Sequence, residues 1–262
     1  MGMLLDHRYY QDYKDKVELV DEELISLLLV SVLLLVSRVY DFLDIGGLIA
    51  ALAIGLIISL FGHWTWLIVL MSFLIISSIV TKWKYEEKSL LSVEESNDGS
   101  RGWKNVAANG GAASIVAIVN YILGGHELAY FAFCACVSVA SSDTLASEIG
   151  SLDSRTRIIT TLAAVPAGTN GGMSPTGTIA AFYGGLIIAI ISTLLGALNS
   201  DSLPPLFFFL SITMIGWLGC QIDSLLGALL ENKGYLGKHG VNFISTLCGS
   251  FLSLYFAYIL IY

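Results

Sequence analysis

Charge is scarce in this chain: Asp, Glu, Lys and Arg together make up 13% of its 262 residues, against about 25% in an ordinary water-soluble domain. Together with repeated apolar runs of about 20 residues, that shortage excludes a water-soluble enzyme and places the chain in a bilayer. Positive charge is scarcer still, with 13 Lys and Arg against 21 Asp and Glu, a formal net charge of −8. No basic arm or aromatic–basic interleaving gathers those cations into a stripe, which excludes a nucleic-acid partner. Cysteine is limited to Cys134, Cys136, Cys220 and Cys248, all inside apolar stretches and without Cys-x-x-Cys pairs. They read as small buried hydrophobes, not as metal ligands or a disulfide framework. The start of the chain lacks a basic, apolar, small-residue cleavage pattern, and Asp6 stands where a myristoylation signal needs Ser or Thr, so no removable targeting segment is expected.

What the chain has in abundance is apolar sequence: 55% of its residues are hydrophobic. Apolar runs fall at 24–40, 45–61, 64–80, 106–123, 128–149, 176–198, 203–230 and 241–262. The expected fold is all-α, a polytopic transmembrane helix bundle of about eight spans. An acidic N-terminal segment at 1–23 precedes a single integral membrane domain at 24–262, because eight spans leave no room for a further soluble domain. The apolar piece at 158–165 is too short to cross. It stands before a Gly-rich stretch and reads as a re-entrant or interfacial segment.

Lys and Arg in short loops mark the cytoplasmic side. With the N-terminus outside, Arg38 lies at the inner end of span one. Lys82, Lys84, Lys88, Arg101 and Lys104 follow span three, Arg155 and Arg157 follow span five, and Lys233 and Lys238 follow span seven. The outer loops 62–63, 124–127 and 199–202 contain no Lys or Arg, and the exceptions Arg8, Lys14 and Lys16 sit in the acidic start. An N-out, C-out topology is therefore expected.

An ionised side chain deep in a span costs about 2.5–3.5 kcal/mol on insertion scales, so each one retained needs a partner or a task. Four polar clusters stand out. Arg101, Lys104, Asn105, Asn109 and two glycines open span four. Asp143, Thr144, Ser147, Glu148 and Gly150 close span five. Gly168, Thr169, Asn170, Gly171, Gly172 and Ser174 open span six. Gln221, Asp223, Ser224 and Gly227 end span seven, followed by His239 and Asn242 at the start of span eight. Under the N-out topology all four lie at cytoplasmic helix ends, although Lys and Arg alone set the orientation. Asp143-Thr-Leu and Asp223-Ser-Leu-Leu also read as copies of each other, the mark of a weak internal repeat.

Two like charges about 4 Å apart repel by roughly 4 kcal/mol at an effective dielectric of 20, so Asp143 and Asp223, if adjacent, require a cation or a shared proton. Mg²⁺, content with one or two carboxylates plus phosphate oxygens, suits them better than zinc, which wants His or Cys. On a regular helix Asp143 and Ser147 share a face, whereas Asp143 and Glu148 stand about 140° apart. Glu148 joins the same ion only if the helix end unwinds. Otherwise it binds Arg155 or a second metal. The bland alternative has the carboxylates pairing with Lys104 or Arg101 for helix packing alone.

The run from Gly168 through Thr169, Asn170 and Gly171 to Gly172 supplies backbone N–H groups that can converge on an anion, and Ser174 followed by Pro175 reads as an N-cap with a first-turn proline. A Gly-rich loop beside a helix N-terminus is a favourable phosphate seat. The Gly-Lys-Ser/Thr ending of a Walker loop is missing. Asn105, Asn109 and Asn242 can bond a ligand phosphate or neighbouring helix carbonyls.

These four clusters resemble the transmembrane protein 19 family, an integral membrane family that includes the plant phytyl phosphate kinase of tocopherol and phylloquinone synthesis. The resemblance runs from about Asp44 to the C-terminus. It rests on Asn105-Val-Ala-Ala-Asn109-Gly, on Ser142-Asp143-Thr-Leu-Ala-Ser-Glu148-Ile-Gly150, on Pro166-Ala-Gly-Thr-Asn-Gly-Gly172 with Ser174, and on Asp223-Ser-Leu-Leu-Gly227-Ala. It implies phosphoryl transfer from a nucleoside triphosphate, CTP or ATP, to an isoprenoid monophosphate such as a polyprenyl or phytyl phosphate. The residue reading agrees, since such transfer needs little beyond Mg²⁺, backbone donors and cations that align two phosphates. Asp143, Asp223 and Glu148 are the expected metal ligands or orienting groups, with Lys104, Arg101, Arg155 and Arg157 neutralising charge. Thr144, Ser147, Ser174, Ser224, Asn105, Asn109 and Asn242 are expected to join the Gly-rich loop around the phosphates. The lipid substrate and surrounding membrane lipids are the expected partners. Two other readings use similar parts: an ion-coupled transporter, and a nucleotidyltransferase forming a CDP-activated lipid.

Overall fold

The computed structural model describes residues 2–92, 97–198 and 203–261. The outer loop expected at 199–202 lies outside these residues, as do the side chains of Arg8, Lys14 and Lys16. The chain is nearly all helix: α1 Gly2–Val39, α2 Ile45–Phe61, α3 Trp64–Lys82, a short α4 Tyr85–Leu90, α5 Trp103–Ile122, α6 Ala129–Gly150, α7 Pro175–Gly196, α8 Pro205–Leu226 and α9 Lys238–Ile261. Each of the eight apolar runs is helical over most of its length. Among the described residues six helices are long and apolar enough to cross a bilayer: α3, α5, α6, α7, α8 and α9. The apolar α2 is shorter at 17 residues, about 25 Å of rise. The acidic segment at 2–23 is continuous with the first apolar run, so α1 shows no break where that segment was expected to end.

The short apolar piece before the Gly-rich stretch is not a helix. β1 Arg157–Ile158 pairs antiparallel with β2 Gly172–Met173, and the intervening residues turn back on themselves through Leu162 N–H to Ile158 O (2.8 Å) and Ile158 N–H to Ala163 O (3.0 Å). Leu162 takes the left-handed conformation (φ +58°) in this turn. The local hairpin bonds leave the piece too compact to reach across a membrane.

Helix α6 is the central post, packing on α3, α5, α7, α8 and α9. Phe131, Phe133, Cys134, Ala135, Cys136, Val137, Val139 and Ala140 are all fully buried. Lipid tails are as apolar as these side chains, so burial alone does not hold such a post; close backbone approach and interhelical hydrogen bonds do. Gly184 of α7 shows the first, because a Cβ there would stand 2.7 Å from the Ser141 carbonyl oxygen. The second is supplied by Tyr130 OH to Ser192 O (2.8 Å), Ser138 Oγ to Ile212 O (2.8 Å) and Ser141 Oγ to Gly184 O (3.0 Å), each contributing about 0.6–2 kcal/mol. The small and hydroxylated residues of α6 are thus what lets α7 and α8 close around it.

Contacts between helix ends define one face of the bundle. Arg101, just before α5, reaches Ser77 and Thr81 near the end of α3. Lys88, after α3, reaches Glu148 near the end of α6. Ser174, capping α7, reaches Gly150 at the end of α6, and Ser245 on α9 reaches Asp223 near the end of α8. All four polar clusters therefore share this face.

Candidate functional site

On that face a cavity of about 350 Å³ opens among α6, α7, α8, α9 and the hairpin loop. Helical periodicity selects its lining. Asp143, Ala146, Ser147 and Gly150 form one stripe of α6, and Cys220, Gln221, Asp223, Ser224 and Gly227 line it from α8, as i, i+3 and i+4 neighbours on a helix surface do. Lys238 and Asn242, also four apart, line it from α9, and the loop contributes Gly168, Thr169, Asn170, Gly171 and Gly172. Asp143 stands seven residues before the end of α6, about 10 Å inside the bundle. One Asp223 oxygen accepts from Ser245 Oγ at 2.8 Å, while the same hydroxyl lies 3.0 Å from the Asn242 carbonyl. Asp143 and Asp223, from separate crossings, thus line one cavity together with the Gly-rich loop.

The loop owes its shape to Gly168 (φ +78°) and Gly171 (φ +76°), both in the left-handed region that glycine tolerates. A Cβ on Gly171 would also meet the Ser224 carbonyl oxygen at 2.7 Å, so the loop is seated directly on the end of α8. There α8 widens into a π-helical turn, Gly227–Glu231. Asn232, just beyond, donates from Nδ2 to the Asn170 carbonyl at 3.0 Å. Two loop N–H groups are already engaged internally, Thr169 N–H on Pro166 O and Gly172 N–H on Thr169 O, and neither serves an anion.

Ser174 caps α7 with Pro175 in its first turn, as the sequence indicated. That helix end is not an open phosphate seat, however. Thr176 N–H (3.3 Å) and Thr176 Oγ1 (2.8 Å) donate to the Asp153 carboxylate, Gly177 N–H donates to Ser174 Oγ (3.1 Å), and Thr178 N–H donates to the Ser174 carbonyl (2.9 Å). A carboxylate of the protein already holds the positive end of the helix. Arg155 completes the clasp with its backbone N–H, Nε and Nη2 on Asp153, at 2.9–3.0 Å. Foremost the Arg155 side-chain bonds, with its backbone N–H and Thr176 adding to them, hold the Asp153 carboxyl well below the usual aspartate range.

Several expected site residues lie elsewhere. Glu148 is 1% exposed and forms an ion pair with Lys88 at 2.6 Å. It does not line the cavity, which removes it from the metal ligands; α6 stays regular there, so Glu148 keeps to the flank opposite Asp143. Among the described residues no three His, Cys, Asp or Glu side chains gather as a metal site. Arg101 is buried on Ser77 Oγ (2.7 Å) and Thr81 Oγ1 (2.9 Å). With Asn105 and Asn109 it lines a separate pocket of about 30 Å³ among α1, α2, α3 and α5. Asn109 Nδ2 donates to the Asn105 carbonyl at 3.0 Å. Lys104 extends over the Trp103 ring, 5.8 Å from its centre. Arg155 is held by Asp153, and Arg157 Nη1 donates to Leu162 O at 2.8 Å. Thr144 is buried, its carbonyl accepting from Ser147 Oγ at 3.2 Å. Arg101, Arg155 and Arg157 thus meet neighbouring protein where a ligand was expected.

The cation at the cavity is one the sequence reading counted only as a loop charge. Among the described lining residues Lys238 is the single Lys or Arg. Its i, i+4 spacing to Asn242 was the available signal, the same rule that joined Asp143 to Ser147. Gln221, Glu231, Thr156, Thr178 and Ser92 also line the cavity; Ser92 and Thr156 come from connections whose path no helical period reveals.

The family model described as integral membrane protein DUF92 matches residues 28–250. An uncharacterized membrane protein of Methanocaldococcus jannaschii is 32% identical over 241 residues, covering 92% of this chain and 96% of that protein. Protein PGR of Arabidopsis thaliana is 28% identical over 232 residues, covering 70% of this chain and 78% of its own length. The chloroplastic protein VTE6 of Arabidopsis thaliana is 28% identical over 191 residues, covering 70% of this chain and 56% of its own length. No solved structure matches the chain.

Proposed function

The chain belongs to the DUF92 family of integral membrane proteins, and on that premise we propose that it is a membrane kinase transferring the terminal phosphoryl group of CTP or ATP to an isoprenoid monophosphate. The observation that carries the reading is the shared cavity of Asp143, Asp223, the glycine loop and Lys238 at one face of the bundle. The motif resemblance to the family of the plant phytyl phosphate kinase supplies the substrate class.

Asp143 and Asp223 are the residues that would hold Mg²⁺. Two carboxylates completed by phosphate and water oxygens suit that ion. When bound, the ion supplies neutralisation of the charge on the transferring phosphoryl group. Ser245 orients Asp223. The N–H groups of Gly168, Asn170 and Gly171 are the loop's candidates for the nucleotide phosphates, with Lys238 and Asn242 lining the same cavity.

In the transfer, a lipid-phosphate oxygen forms a bond to the terminal phosphorus while the bond from that phosphorus to its bridging oxygen breaks. The products are lipid diphosphate and nucleoside diphosphate. A phosphate monoester has a second pKa of about 6 and is already anionic at neutral pH, so no strong general base is required. The lipid tail stays among the apolar helices and its head enters the cavity from the side. The clustering of Lys and Arg supports a cytoplasmic location for this face, where the nucleotide is dissolved.

Purified protein incubated with Mg²⁺, labelled CTP or ATP and geranylgeranyl or phytyl monophosphate is expected to yield lipid diphosphate and nucleoside diphosphate. Pyrophosphate release with a CDP-lipid would overturn the kinase in favour of nucleotidyl transfer. Nucleotide-independent counterflow in sealed vesicles, without diphosphate product, would replace it with transport.

A further inference from the structure

Lys88 is among the most deeply buried side chains of the molecule, 1% exposed, yet it comes from a six-residue surface helix. Its three N–H donors meet three acceptors: Val80 O (3.1 Å), Thr81 O (2.8 Å) and Glu148 Oε2 (2.6 Å). The two carbonyls belong to the last turns of α3, the negative end of that helix. Glu148 sits in the last turn of α6, also a helix end that disfavours a carboxylate. The ammonium therefore serves two helix C-termini at once. The other Glu148 oxygen, Oε1, is buried with no hydrogen-bond partner, so Lys88 is what keeps this carboxylate inside the protein. Isolated helices of six residues are not stable in water. α4 needs an anchor, and Lys88 is the side chain that supplies one.

From these contacts we propose that the Lys88–Glu148 pair is a strut that fixes the segment 84–92 after α3 as a wall of the cavity, making Lys88 and Glu148 positioning residues for the nucleotide. The connection leaves α3 through Lys84, which is left-handed (φ +53°), and runs through α4 to Ser92, an exposed residue that lines the cavity. Glu148 lies one residue beyond Ser147, which lines the same cavity from α6. The strut thus ties both sides of this wall together. A lipid phosphate enters between helices, whereas a water-soluble nucleotide enters across the aqueous face, past this connection. Loosening the strut consequently weakens nucleotide binding and leaves the lipid side intact. The positioning role rests on the kinase reading; the strut itself does not.

Hydrogen exchange and steady-state kinetics test the two separately. In the wild-type protein the amides of residues 88–91 are expected to exchange about a hundredfold slower than an unstructured chain, and about tenfold faster in Lys88→Gln than in wild type. Rapid exchange in the wild type, which needs no variant to fold, would overturn the strut, as would unchanged exchange in Lys88→Gln. Where the wild type makes lipid diphosphate, Lys88→Gln and Glu148→Gln are expected to raise KM for the nucleotide about tenfold, with KM for the lipid phosphate and kcat held within about twofold. An unchanged nucleotide KM, or equal damage to both KM values and kcat, would overturn the positioning role. A wild type that makes no diphosphate while its α4 amides stay protected would refute the kinase reading and leave the strut standing.

Discussion

The cavity among α6, α7, α8 and α9 and the pocket among α1, α2, α3 and α5 are both lined by motifs of Asn, Gly and charge, but their polar atoms face different things. In the first, Asp143, Asp223 and Lys238 border about 350 Å³ of open volume, a size that accommodates a ligand. In the second, Arg101 grips Ser77 and Thr81, and Asn109 turns back on Asn105, beside about 30 Å³, room for about one water. Residue type alone did not separate the two. The difference lies in how much open volume between helices each polar stripe borders.

The contrast can be broken first at the aspartates. Asp143→Asn and Asp223→Asn keep size and lose charge. Each is expected to lower kcat for lipid diphosphate formation about a thousandfold, measured on protein that elutes and melts as the wild type does. Wild-type activity in both would dissolve the distinction between cavity and pocket.

Arg101→Leu probes the other side. Loss of its buried charged hydrogen bonds is expected to destabilise the protein by about 3 kcal/mol, read as a lowered melting temperature in detergent, while the folded fraction retains its nucleotide KM. A selective rise in KM would move Arg101 into the site. Next in size, Lys238→Gln is expected to raise the nucleotide KM about tenfold, with thermal stability unchanged.

The smallest effect concerns the clasp at α7. Asp153 has a folded pKa below its unfolded value of about 4. Its contribution is therefore complete above that pH and disappears as pH falls toward the depressed folded value. Asp153→Asn should lower the melting temperature by a constant amount above about pH 5, and the gap to wild type should narrow below about pH 4. A gap independent of pH would mean that the carboxylate charge plays no part in holding α7.

Much of this was legible in the sequence because it is local. Apolar runs gave the helices, Ser174 with Pro175 gave the start of α7, and the spacing of Asp143 to Ser147 and Glu148 gave the stripe of α6. What escaped depends on which neighbour a side chain meets. Glu148 looked like a third carboxylate, since nothing near it in sequence reveals that Lys88, 60 residues away, lies buried against it. The Gly-rich loop and α7 looked like a single anion seat, yet Asp153, 23 residues before Thr176, already fills the helix end. Lys238 passed for a topological charge because its place at the cavity depends on how α9 packs against α8.

The proposed metal centre can be tested most directly by offering Fe²⁺ in place of Mg²⁺ and cutting the backbone by local oxidation with ascorbate and peroxide. An ion held by Asp143 and Asp223 beside the glycine loop yields cuts near residues 143, 168–171 and 223 together, suppressed by excess Mg²⁺ and lost in both Asp→Asn variants. Cuts confined to other positions, or an identical pattern in the variants, would contradict it.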